Sequence, residues 1–173
     1  CLAKSNPQTY VPGLAKSYNN LANLYSSTRR FPDSEQMYKS ALEIYKRLAD
    51  SNPQMYEPDL ALYYNNLAVL YYFTRRFADS EAMHKSALEI RKRLAATNPH
   101  AYNLDLAGSY HNLANLYSVT QRFTESEQMY NSALEIYKRL MGENSFIYGQ
   151  NLADCLFWFA HLQLKQVNNT EDI

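Results

Sequence analysis

The sequence predicts an all-α protein, a right-handed α-solenoid of antiparallel helix hairpins with about seven helices and an N-terminal stub. Two observations carry this expectation. The first is a repeat. Asn20-Leu21-Ala22-Asn23-Leu24-Tyr25 returns as Asn66-Leu67-Ala68-Val69-Leu70-Tyr71 and again as Asn112-Leu113-Ala114-Asn115-Leu116-Tyr117. Ser40-Ala41-Leu42-Glu43-Ile44 likewise returns at Ser86–Ile90 and Ser132–Ile136, always after 46 residues. A fixed period of this size marks one supersecondary unit copied along the chain. The second is the periodicity inside each copy. Leu14, Tyr18, Leu21, Ala22 and Tyr25 fall at helical spacing, as do Ser34, Tyr38, Ala41, Leu42, Tyr45 and Leu48. Each set paints one stripe on a helix, with small side chains where two backbones must approach.

Taken along the chain, residues 1–6 match the end of a second helix and form the stub. Each unit then has a first helix near 13–28 and a second near 32–50, joined by a tight turn through Arg30-Phe31. The copies occupy about 13–58, 59–104 and 105–145, and the chain turns at Asn52-Pro53 and Asn98-Pro99. Asp59 and Asp105 stand where helix N-caps are expected, and Arg29-Arg30 and Arg75-Arg76 fall near helix C-termini. Residues 146–165 match a first helix and form a terminal cap; 166–173 is a polar tail. Neither helix of a unit buries its stripe alone, so stacked hairpins share one continuous core and 1–165 is expected to be a single domain.

Composition narrows the function. Seventeen basic and seventeen acidic residues cancel, which removes the electrostatic footprint of a nucleic-acid or anionic-membrane binder. No apolar run approaches the roughly 20 residues needed to span a bilayer. The compartment stays open, with the cytoplasm favoured. Cys1 and Cys155 sit at opposite ends of an elongated array and are expected as free thiols.

The residues at constant offset resemble the tetratricopeptide repeat, whose signature runs W-x2-L-G-x2-Y, then A-x3-F and a later alanine. Tyr18, Leu21, Ala22 and Tyr25 take the four first-helix positions, as do Tyr64, Leu67, Ala68 and Tyr71, and Tyr110, Leu113, Ala114 and Tyr117. Ser34 and Tyr38, Ser80 and His84, and Ser126 and Tyr130 take the small and aromatic positions of the second helix, followed by Ala41, Ala87 and Ala133. The familiar repeat has about 34 residues, so this one is longer by about 12. Lys46, Lys92 and Lys138 stand where that repeat has its helix-ending proline. The wording is similar to the longer repeats of kinesin light chains and of many bacterial signalling proteins. The resemblance implies recognition of a peptide or protein in a concave groove lined by first helices, and no catalysis.

Comparison of the three copies separates framework from recognition, because packing positions recur while ligand-facing positions are free to differ. The expected partner-binding residues are Lys16, Asn19 and Asn23 in copy one, Leu62, Asn65, Asn66, Val69, Tyr72 and Phe73 in copy two, and His111, Asn112 and Asn115 in copy three. Val69, Tyr72 and Phe73 offer an apolar anchor, and the amides can both donate to and accept from an extended backbone. The bland alternative is that Tyr72 and Phe73 pack between hairpins and that the recurring Asn20, Asn66 and Asn112 are structural. Some tetratricopeptide domains clamp a terminal carboxylate with Lys and Arg. The matching positions here are Asn19, Gly108 and Asn112, so an acidic C-terminal tail is a poor ligand.

Nothing in the sequence spells catalysis. His84, His100, His111 and His161 lack metal-ligand spacing to any Cys or carboxylate, and no phosphate loop or paired-carboxylate motif occurs. No cofactor or metal is expected. Glu35, Lys39, Glu43, Lys46 and Arg47 read as a solvated helix face. Leu156-Phe157-Trp158-Phe159 breaks the pattern with large aromatics, which suggests either a gap-filling cap or a homo-oligomer formed through Phe157 and Trp158. The leading reading is a non-catalytic binding scaffold. The alternative is a structural spacer or self-association segment of a larger bacterial-type signalling protein.

Overall fold

A computed structural model of the chain describes residues 7–171, with side chains from Tyr10 to Val167. It contains α1 (Pro7–Ser27), α2 (Phe31–Ser51), α3 (Pro53–Phe73), α4 (Phe77–Thr97), α5 (Pro99–Val119), α6 (Phe123–Glu143) and α7 (Ser145–Glu171), and no strand among the described residues. The all-helical expectation holds; the stub at 1–6 lies outside the described residues. Contacts divide the chain within α4 into two compact units, Cys1–Ile90 and Arg91–Ile173. In the first, α1 packs on α2 and α2 on α3. In the second, α5 packs on α6 and α6 on α7.

The first helices of the repeats start earlier than expected. Asn52, rather than Asp59, caps α3: its side chain accepts from the Met55 backbone N–H at 3.2 Å, and Pro53 follows at the first helical position. Asn98 and Pro99 open α5 in the same way. Asparagine satisfies an orphan N–H, and proline has none to satisfy, so Asn-Pro is a complete start signal. Pro12 and Pro58, which suggest a boundary, lie inside α1 and α3. Tertiary packing outweighs the single hydrogen bond each proline removes. Asp59 instead accepts the phenol proton of Tyr45 at 2.8 Å, tying α3 to α2.

The interhelix turns also differ from expectation. No basic residue lies in the last turn of α1 or α3. Arg29, Arg75 and Gln121 stand just beyond, at φ 58, 59 and 60, the left-handed region that usually takes glycine. Arg29 N–H donates to the Ser26 carbonyl and Arg30 N–H to the Tyr25 carbonyl, and the same double closure recurs at Arg75-Arg76 and Gln121-Arg122. The hydrophobic contact that normally completes such a turn is here a cation over a ring. Arg30 lies 4.2 Å above Tyr25, Arg76 4.2 Å above Tyr71, and Arg122 4.1 Å above Tyr117. The recurring first-helix tyrosine is thus held by the arginine five residues on.

Within each hairpin the seam is built on small residues. Ala22, Ala68 and Ala114 are fully buried, and opposite them Ser34, Ser80 and Ser126 donate to their carbonyl oxygens at 2.9, 2.8 and 2.7 Å. A carbonyl has two lone pairs, so it serves both its own helix and the serine. In the second unit the core gathers Ala107, Tyr130, Tyr137, Leu140, Cys155 and Leu162. Helix α7 runs to Glu171, past the expected end at 165, because no glycine or proline interrupts it.

Candidate binding face

On the first unit, the expected residues lie on neighbouring faces of α1 and α3. Lys16 and Asn23 are exposed on α1. Asn19 is buried and accepts a hydrogen bond at 3.0 Å from the amide of Asn66, which crosses from α3. This amide pair fixes the spacing of the two first helices, so part of the recurring asparagine set has a structural partner on a neighbouring first helix. Asn65 lies half-buried one residue away. Asn23 Oδ1 accepts the phenol proton of Tyr38 from α2.

Copy two replaces that Asn–Tyr pair with Val69 and His84, which removes the polar acceptor and leaves an apolar patch. Leu62, Asn66, Val69 and Phe73 follow one another at helical spacing on one side of α3. Leu62 is 42% exposed and Phe73 67%, while Val69 and Tyr72 are half-buried. Tyr72 sets its ring edge-on to Phe73 at 5.8 Å and to Phe77 of α4 at 6.0 Å. Tyr72 is therefore wedged into the hairpin, and Phe73 rests on it facing solvent.

In the second unit, Asn115 Oδ1 accepts from Tyr130, repeating the arrangement of Asn23 and Tyr38. His111 lies half-buried with its ring 5.8 Å from that of Tyr130. Burial lowers its pKa below the usual histidine value, and the charge of Asp154 opposes that shift. Asn112 is half-buried on the same helix.

Two features escaped sequence reasoning. On the charged side of α2, Lys39, Glu43, Lys46 and Arg47 are exposed as expected, and Glu35 alone departs from the pattern. Glu35, partly buried, receives Lys39 at 2.7 Å, Arg76 at 2.7 Å and the Tyr71 hydroxyl at 3.0 Å. Burial works to raise its pKa, but these three donors together outweigh burial and hold the carboxyl below the usual range. Beside this cluster lies a hollow of about 250 Å³, lined by Leu42, Leu67, Tyr71 and Met83 and rimmed by Lys39, Glu43 and Lys46. The second feature is Arg91. It stands in the register of Tyr45 and Tyr137, is buried, and donates to Ser109 Oγ at 2.7 Å and to the Asp105 carbonyl at 3.2 Å. Ser109, where copy two has Tyr63, supplies the room.

Among the described residues no cluster of His, Cys, Asp and Glu is placed to hold a metal ion, and no helix is long and apolar enough to cross a membrane. Cys155 is a buried free thiol whose pKa burial pushes up to about 12.

The family model described as tetratricopeptide repeat matches residues 14–53, 60–99 and 106–146, which together are well over half of the chain. The chain belongs to the tetratricopeptide repeat family. Each matched stretch joins most of one first helix to the whole second helix after it, with its arginine-closed turn between. Tetratricopeptide repeats form a non-catalytic scaffold fold that generally mediates protein–protein interaction. A crystal structure of BtubC (BKLC) from P. vanneervenii is similar over 90% of this chain, with a TM-score of 0.59 and 21% identity. This tetratricopeptide chain spans 65% of that one, and the likeness is one of fold. No curated protein matches the chain.

Proposed function

We propose that the chain is a protein-binding module that takes an extended or helical peptide segment along the first-helix face, anchored on the apolar stripe of α3. The observation that carries this reading is Phe73. A large aromatic, two-thirds exposed, is held in place by Tyr72, which is itself locked against Phe77. A rigid exposed aromatic loses little conformational freedom on binding, which is the usual character of an interface hot spot.

Leu62 and Val69 extend the apolar strip along the helix, and Lys16, Asn23 and Asn65 border it with groups that can bond a peptide backbone. His111, Asn112 and Asn115 are the corresponding residues of the second unit. Asn19 and Asn66 act by holding the helices at the right spacing, since their amides bond each other. A segment with one bulky apolar side chain flanked by uncharged residues suits this face best. An anionic C-terminus has no arginine clamp here.

Titration of the chain with a displayed peptide library, read by fluorescence anisotropy, tests the reading. Selected peptides should bind saturably, and Phe73→Ala should weaken them at least about tenfold while Leu104→Ala on α5 should not. Absence of any saturable binder would favour a structural spacer instead.

A further inference from the structure

Helix α7 has two apolar faces, and among the described residues only one of them is packed against other helices. Leu152, Cys155 and Leu162 are buried in the core of the second unit. On the opposite side Phe146, Ala153, Phe157, Ala160 and Leu164 follow at spacings of seven, four, three and four, the alternation of a coiled-coil seam. Phe146 is 97% exposed, Phe157 65% and Leu164 63%. Ala153 and Ala160 stand in the register of Ala107 and Ala114, which are fully buried in the α5–α6 hairpin. The same alanine positions thus lie on a surface shaped to receive a helix, and among the described residues none covers the exposed phenylalanines of α7.

From this surface, and independently of the α3 face, we infer that α7 pairs antiparallel with α7 of a second copy about a two-fold axis. Large and small residues alternate along the stripe, and only the antiparallel arrangement sets unlike sizes together. Phe157 then meets Ala160 of the other copy and Leu164 meets Ala153, each pair occurring twice by symmetry. A parallel pair would stack Phe157 on its own equivalent and leave Ala160 facing alanine, giving a swollen layer beside an empty one. The flanking charges agree. Asp154 and His161 sit on the same edge of the stripe, and the two-fold brings the carboxylate of one copy beside the imidazole of the other. Asp154 is exposed and accepts from the Gln150 amide of its own helix at 2.7 Å. No lysine or arginine is among the residues of the stripe to repel its equivalent; Lys165 is half-buried, one position past Leu164.

Sedimentation velocity of the 173-residue chain over a range of concentrations tests the pairing. A reversible monomer–dimer equilibrium is expected, and Phe157→Ser should weaken it at least about tenfold with unchanged helicity, because the side chain is exposed in the single chain. Cross-linking decides the direction. In a Cys1→Ser background, Ala153→Cys mixed with Leu164→Cys should give a disulfide-linked dimer on mild oxidation, while Ala153→Cys alone should not. Antiparallel pairing holds the two Ala153 positions about 16 Å apart. A dimer indifferent to Phe157→Ser, a disulfide from Ala153→Cys alone, or a chain that stays monomeric at every concentration would each overturn the inference. The last result would leave the stripe to a helix of another protein or of a longer form of this chain.

Discussion

Ser80 of α4 donates its hydroxyl proton to the carbonyl oxygen of Ala68 of α3 at 2.8 Å, and both residues are fully buried. The same contact joins Ser34 to Ala22 and Ser126 to Ala114. It explains why the small position of the second helix is serine in all three copies, since a hydroxyl fits the gap and gives up no hydrogen bond.

Ser80→Ala is expected to lower stability by about 1 kcal/mol, the net value of one buried hydrogen bond, because the Ala68 carbonyl keeps its intrahelical partner. Ser80→Leu should cost more, about 3 kcal/mol, by forcing the helices apart. Urea unfolding curves of the two variants separate these effects. Equal losses would refute a seam limited by size.

At the turns, Arg75 holds φ 59 without being glycine. Arg75→Gly should raise stability by about 0.5–1 kcal/mol, since relief of left-handed strain exceeds the added unfolded-state entropy. Arg75→Val should lower it. Thermal unfolding of both variants checks the sign, and a destabilised glycine variant would mean that the arginine side chain contributes more than its backbone conformation costs.

Arg91→Ala removes the donor to Ser109 and to the Asp105 carbonyl and opens a cavity in the second unit. A loss of about 3 kcal/mol is expected. Arg91→Met, which refills the volume without the charge, should lose about half as much, because the buried guanidinium is costly to desolvate. Guanidinium chloride midpoints of the pair test this, and an equal loss in both would place the whole effect in the hydrogen bonds.

His111 is held below the ordinary histidine pKa of 6.5 by burial, with Asp154 opposing. The folded chain therefore binds fewer protons than the unfolded chain as the pH falls through 6.5. The stability contributed by the neutral imidazole is present above 6.5 and is lost below it. His111→Asn, which places the residue of positions 19 and 65 there, should flatten the decline in melting temperature between neutral and mildly acidic pH. A variant with the same slope as the parent would assign the acid sensitivity elsewhere.

The repeat, its helical type and the composition of each stripe were legible in the sequence because they depend on local spacing. Helix starts were harder to place. Pro12 and Pro58 carry a boundary signal that packing overrides, while Asn52-Pro53 carries the true one. The role of Asp59 was unreadable, since Tyr45, its partner, lies fourteen residues away on another helix. For the binding face, the changes from Asn23 to Val69 and from Ser27 to Phe73 were visible by comparing copies. The engagement of Asn19 by Asn66 was not, because the distance between two first helices is set by everything packed behind them.

By itself the sequence determined that the chain is a tandem array of helical hairpins with one variable apolar stripe, because a 46-residue period and a 3.6-residue period are properties of order along the chain. Only the tertiary structure decided which side chains of that stripe are taken and which remain exposed. Tyr72 is wedged on Phe77 while Phe73 faces out, and Cys155 is buried while Phe157 is bare. Adjacent or nearby residues on one helix meet different neighbours, and those neighbours come from elements brought together by burial of apolar surface rather than by sequence proximity.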